Sequence, residues 1–189
     1  MQPMNVLVID GQGGGLGKQL VAALSTQCPE ARLTAVGTNS LAANAMRKAG
    51  APRAATGENA VVVNCRSADI IVGPIGIVVA DALLGEITPA MATAVCQSHA
   101  MRVLIPVNHC ENYIVGVPEQ PISDLVAAAV QKVKALCAGE GCGKRVYLKC
   151  PPLALWASSA EKYFIIEQQR TACGLSAVAF SRKGSKRKT

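Results

Sequence analysis

The chain has 189 residues, half of them hydrophobic and only 3% aromatic, which is enough for one α/β domain with an appendage and predicts a core of Val, Ile, Leu and Ala. Its eight cysteines are scattered along the chain, which excludes a small disulfide scaffold and points to reduced thiols in the cytoplasm. The net charge of +7 lies entirely in residues 138–189, which hold ten Lys/Arg against three Glu, whereas residues 1–137 carry nine of each sign.

Five of the six aromatics also fall in the last segment. Charge and aromatic content therefore place a boundary near residues 137–143, between a domain over 1–137 and a basic extension over 138–189. Within the domain, an apolar run at 5–9 reads as a strand, and Leu16, Leu20, Val21 and Leu24 mark one face of a helix over 14–27. A second strand at 33–37 leads to Thr38-Asn39-Ser40, where Thr38 or Asn39 can cap a helix over 41–49 that Gly50 ends. Ala51-Pro52-Arg53 is expected as a loop, and Ala60-Val61-Val62-Val63 as a short β-branched strand. The run at 69–72 is the next strand, ending at Gly73-Pro74-Ile75-Gly76. A helix is expected over 77–84, broken by Gly85 and restarted by Thr88-Pro89 with a cap and a proline at its first position. Residues 102–107 and 113–117 read as the last strands, and Ser123 or Asp124 starts a helix reaching about Leu136.

This alternation predicts a Rossmann-like three-layer α/β domain with a mostly parallel sheet and right-handed crossovers. In such sheets ligands bind beyond the carboxyl ends of the strands, where the strand order reverses. The residues expected on that rim are Asp10 to Gly17, Gly37 to Ser40, Gly73 to Gly76, and Asn108 to Cys110.

The first of these sets is the most informative. Asp10-Gly11-Gln12-Gly13-Gly14-Gly15-Leu16-Gly17 follows a strand and opens a helix, as a phosphate-cradling loop does. The pattern G-x-G-x-x-G fails at Leu16. The Walker pattern fails because Gln12 and Gln19 stand where a glycine and a magnesium-binding hydroxyl are needed. Gly11, Gly15 and Gly17 fit G-x-x-x-G-x-G, which resembles the cofactor loop of the short-chain dehydrogenases. The expected cofactor contacts are Asp10, Gly11, Gln12, Gly13, Gly14, Gly15, Leu16 and Gly17, then Thr38, Asn39 and Ser40, then Gly73, Pro74, Ile75 and Gly76. NAD sites carry an acid at the end of the second strand for the ribose hydroxyls. Here that place is Gly37-Thr38-Asn39-Ser40 without a carboxylate, so NADP is preferred slightly over NAD, although Asn39 and Ser40 can equally serve only as helix caps. Asp10 at the mouth of an anion site is expected to accept hydrogen bonds from loop amides, the alternative being a magnesium ligand.

The dehydrogenase resemblance stops at the loop. The Tyr-x-x-x-Lys pair of that family is missing, since Tyr113, Tyr147 and Tyr163 have Val117, Pro151 and Glu167 at that offset. Candidates for acid–base work are His109, Glu58 and Asp10, each with a structural role as the simpler reading. Glu58 and Glu86 sit among turn residues, where a carboxylate suits a turn or a helix start, the alternative being contact with a ligand without evidence of catalysis. Several segments together, Val8-Ile9-Asp10-Gly11-Gln12-Gly13-Gly14-Gly15, Gly37-Thr38-Asn39, Ala55-Thr56-Gly57-Glu58-Asn59, Gly73-Pro74-Ile75-Gly76 and Gly85-Glu86-Ile87-Thr88-Pro89-Ala90-Met91, resemble a small bacterial family of unknown function over about residues 4–135. That resemblance implies a Rossmann-like domain and supplies no activity.

Cys137, Cys142, Cys150 and Cys173 are the candidates for a zinc site, but only one pair comes near zinc-knuckle spacing, and no metal is expected. The five basic residues of 181–189 are expected to form a disordered solubilising end, not a nucleic-acid-binding arm. The longest uncharged apolar stretch, residues 70–80, is eleven residues and contains Gly73, Pro74 and Gly76, so no membrane segment is expected. Met1-Gln2-Pro3-Met4 carries no signal-peptide pattern. The expected protein is a cytoplasmic NAD(P)-binding domain with a small-molecule nucleotide ligand. It would act as a small oxidoreductase or redox-cofactor sensor, or as a regulatory module that binds a nucleotide or phosphometabolite without chemistry. A parallel sheet of this size often leaves an edge strand or a helix face for a homodimer, and the sequence does not fix the oligomeric state.

Overall fold

The computed structural model describes residues 2–107, 114, 117–118 and 120–139. Five strands form one sheet: β1 Asn5–Asp10, β2 Arg32–Gly37, β3 Arg53–Thr56, β4 Ile70–Pro74 and β5 Met101–Ile105. All four pairings are parallel, in the order β3-β2-β1-β4-β5. The helices are α1 Gly15–Gln27, α2 Ser40–Lys48, α3 Glu58–Cys65, α4 Pro89–Gln97 and α5 Ile122–Cys137. A short 3-10 turn, Ile75–Val78, follows β4.

The central strands β1 and β4 read as continuous apolar runs because both faces of the sheet are covered there. Val6 and Val8 of β1 point to one face with Leu20, Val21 and Leu24 of α1, Met46 of α2 and Val130 and Val133 of α5. Leu7 and Ile9 point to the other, with Val61 of α3 and Met91 and Val95 of α4. That period-two alternation, with helices on either side, makes the three layers. Among the described residues, no helix is long and apolar enough to cross a membrane.

Three expectations fail, and for physical reasons. Residues 60–63 are not a strand but the middle of α3, where Val61 and Cys65, four apart, bury one helical face. A run of four apolar residues carries no period by which to choose between helix and strand. The third strand is instead β3, part of which was expected as a loop. It lies at the sheet edge, is only half-buried, and so has no apolar run to announce it. The helix expected over 77–84 is also absent. After the 3-10 turn the backbone enters the left-handed region at Asp81, Leu83, Leu84 and Gly85, with φ of 62°, 57°, 59° and 84°. The loop closes on itself: Asp81 N donates to Ile87 O, Ile87 N to Ala82 O, and Gly85 N to Asp81 O. Asn108-His109-Cys110 and residues 140–189 lie outside the described residues. So does most of the strand expected at 113–117, and its described members, Ile114 and Val117, belong to no strand.

Candidate functional site

The order β3-β2-β1-β4-β5 reverses between β1 and β4, so the crevice at their carboxyl ends is the topological switch point. β1 ends at Asp10, β2 at Gly37 and β4 at Pro74, so all three enter the same rim. The glycine loop leaves β1 there. Gly14, in the left-handed conformation, forms the N-cap of α1. Gly17 is required by packing: a Cβ at that position would stand 2.6 Å from Met46 Sδ and 2.7 Å from Asp10 Cβ. This is the close helix–strand approach that the last glycine of a dinucleotide loop provides.

Asp10 is buried beneath the loop. Its Oδ1 accepts the Gly11 amide at 2.9 Å and its Oδ2 the Gly17 amide at 2.5 Å. The carboxylate thus caps the start of α1 from below, holding one of the amides that have no partner within a helix. Both oxygens are engaged, which gives Asp10 the loop-shaping role. Burial pushes its pKa above the ordinary value, against the two amide hydrogen bonds. The first-turn amides of Gly15 and Leu16 have no intrahelical acceptor and are the donors left to face a ligand.

Above the loop lies a second carboxylate, one that the sequence marks as a turn or helix-start residue and not among the expected cofactor contacts. Glu86, from the loop between β4 and α4, reaches across to the tip of β2. Its Oε2 accepts the Gln12 amide at 2.7 Å, the Asn39 side-chain amide at 3.0 Å and the Thr38 hydroxyl. Burial alone would push its pKa up, but the hydrogen bonds from Thr38, Gln12 and Asn39 outweigh that and hold the carboxyl below its ordinary value. Asn39 also donates to Gln12 O at 3.0 Å, and its Oδ1 accepts the Ala42 amide at 2.9 Å as the N-cap of α2. One asparagine therefore joins the glycine loop, the Glu86 loop and the start of α2.

The glycine loop, Pro74, Leu83, Val107 and Ile122 enclose an open cleft of about 180 Å³. Of the set after β4, only Pro74 lines it. Gly73 packs against Ile9 O, Ile75 is half-buried and Gly76 is buried in the 3-10 turn. Thr38 and Asn39 border the loop through Glu86. Ser40 is not brought there. It lines a separate shallow cleft of about 170 Å³ with Asn44, Arg47 and Thr56, beside β3. Glu58 is likewise away from the loop: its Oε2 accepts the Thr88 hydroxyl at 2.6 Å, and Thr88 in turn caps α4 by accepting the Met91 amide. His109 lies outside the described residues. Of the candidate zinc ligands only Cys137 is described. It ends α5, and burial, with smaller contributions from Cys28, Glu30 and Asp69, pushes its thiol up to about 11.

Residues 5–138 match the family described as "Domain of unknown function (DUF3842)". No curated protein and no solved structure matches the chain. The matched segment spans the whole sheet and its helices, from the start of β1 to the end of α5, and the chain belongs to this domain-of-unknown-function family.

Proposed function

We propose that this domain binds a nicotinamide dinucleotide across the glycine loop and serves as a redox-cofactor sensor or small oxidoreductase. One observation carries the reading. The glycine loop stands at the β1/β4 switch point of a five-stranded parallel sheet, and Gly17 makes the close α1–β1 contact that such a loop requires. The amides of Gly15 and Leu16 and the positive end of α1 suit a pyrophosphate, and the apolar side chains of Pro74, Leu83, Val107 and Ile122 suit a flat ring.

A binding-only role has its own support. Asp10 and Glu58, two of the three candidates for acid–base work, are both held in structural hydrogen bonds. This favours recognition without chemistry by the domain itself. Thermal unfolding of the full chain with NAD(H), NADP(H), ATP, FAD and S-adenosylmethionine tests the proposal. Stabilisation by a nicotinamide dinucleotide and not by the others is the expected result. Stabilisation by another nucleotide alone would transfer the site to that ligand, and no shift with any of them would sink it.

A further inference from the structure

We propose that Glu86 is the ribose-reading carboxylate at the tip of β2, beside the glycine-loop cleft, delivered from the β4–α4 loop instead of from β2, and that it selects dinucleotides with a free 2′-hydroxyl over those with a 2′-phosphate. This rests on the dinucleotide reading above and deepens it.

The tip of β2 reads Gly37-Thr38-Asn39-Ser40 and has no acid of its own. In a dinucleotide fold this tip faces the adenosine ribose, and an acid there accepts the two ribose hydroxyls. The position is nevertheless occupied by a carboxylate. Glu86 Oε2 is seated on Thr38 and Asn39, the first two residues after β2, and on the Gln12 amide of the glycine loop. Three donors fix one oxygen. The other, Oε1, accepts none of these hydrogen bonds and is the oxygen assigned to a ligand hydroxyl.

Two further features show that the seat is built. Gly11 lies directly beneath it: a Cβ there would stand 2.8 Å from Thr38 Oγ1, 2.8 Å from Leu83 Cδ1 and 2.9 Å from Glu86 Oε2. A glycine lets the loop pass under the carboxylate without displacing these three side chains. The segment that presents Glu86 is held in an uncommon form, with Asp81, Leu83 and Leu84 all at positive φ. Non-glycine residues adopt this region at a cost, and such strain gathers at ligand sites. The three hydrogen bonds hold the Glu86 carboxyl below its ordinary value of 4.5, so it is ionised at neutral pH with or without them. An ionised carboxylate accepts from ribose hydroxyls and repels a phosphate dianion.

The test is equilibrium binding of NAD+ and NADP+ to the full chain, as it stands and with Glu86→Gln. The unaltered chain should bind NAD+ at least about tenfold more tightly than NADP+. In E86Q the NAD+ affinity should fall and the preference should shrink to within about threefold. NADP+ binding as tight as NAD+ to the unaltered chain overturns the inference alone, and would point to Ser40 and Arg47 beside β3 as phosphate partners. Tighter binding of NAD+ by E86Q also overturns it, because Glu86 would then be an obstruction. Binding of neither dinucleotide removes the dinucleotide reading and this inference together. Should E86Q fail to fold, the ratio on the unaltered chain decides by itself.

Discussion

The amide of Gln12 donates to Glu86 Oε2 at 2.7 Å, a contact between residues 74 apart in sequence. It ties the glycine loop after β1 to the loop after β4, and Thr38 and Asn39 bring the tip of β2 to the same oxygen. Three strand ends thus converge on one carboxylate at the switch point.

That convergence gives stability a pH dependence of known sign. Glu86 is held below its ordinary value of 4.5, so folding favours its ionised form. Its contribution is fully present above 4.5 and is lost as pH falls through the lowered folded value. Asp10 works in the opposite sense. Its folded pKa is raised above 3.8, so folding favours its protonated form, and that contribution is lost as pH rises through the raised value. Chemical denaturation from neutral into acid should show a constant stability gap between the wild type and Glu86→Gln above 4.5, narrowing below it. A gap that does not change with pH would remove the role assigned to the three hydrogen bonds.

Asn39 offers a separation of two roles. Asn39→Ala removes the α2 cap and should cost about 1 kcal/mol in thermal or chemical unfolding. Asn39→Asp keeps a capping oxygen but sets a second carboxylate against Glu86 Oε2, where the amide now donates at 3.0 Å. The aspartate variant should therefore raise the Glu86 pKa, as read by carboxyl NMR titration. An unchanged titration would mean that Asn39 serves α2 only.

Gly17→Ala tests the close contact at the root of the loop. The added methyl would meet Met46 Sδ, which can turn aside, and Asp10 Cβ at 2.7 Å, which is fixed by its own backbone. Overpacking of this kind costs about 1–3 kcal/mol. Denaturant unfolding should show the loss as a lower midpoint with an unchanged slope. A wild-type midpoint would mean that the loop has room the structure does not show.

Asp10→Asn keeps the shape of the buried side chain but can offer an acceptor to only one of the two amides. The other, Gly11 or Gly17, would face an NH2 group, and an unmatched buried donor costs about 1–3 kcal/mol. Hydrogen exchange should report the damage locally, as faster exchange at the Gly11 or Gly17 amide. Unchanged exchange at both would show that Asp10 does not hold the loop.

The cysteines should separate by reactivity. Burial pushes the Cys65 thiol up to about 11, and that of Cys137 to about 11 with help from Cys28, Glu30 and Asp69. Cys28 is buried and also raised. Cys96 is exposed. Brief iodoacetamide treatment at neutral pH, read by peptide mass spectrometry, should label Cys96 before the other three, because the thiolate is the reacting form. Equal labelling of Cys65 would show that α3 opens readily.

Much of the fold was legible because it rests on local rules. The helix over α1 followed from Leu16, Leu20, Val21 and Leu24, and Asn39 and Thr88 both cap helices at positions that the sequence marks. The parallel sheet followed from alternation. The misread segments are those where the local signal is short or shared. Val61 to Val63 could bury equally well in either period, and Ala54 and Ala55 of β3 lie at an edge that calls for no apolar run. The left-handed turns at Asp81, Leu83 and Leu84 are adopted by residues that seldom favour them, so nothing local announced them.

By itself the sequence determined the glycine loop, its place between a strand and a helix, and the acid beneath it. Those features depend on backbone freedom and side-chain reach within a few residues. Only the tertiary structure decided which carboxylate stands at the tip of β2. Glu86 arrives there because β4 pairs with β1, and that pairing carries its loop across to the end of β2. Side chains far apart in the chain meet through strand order, and strand order is set by how the whole sheet buries its two faces.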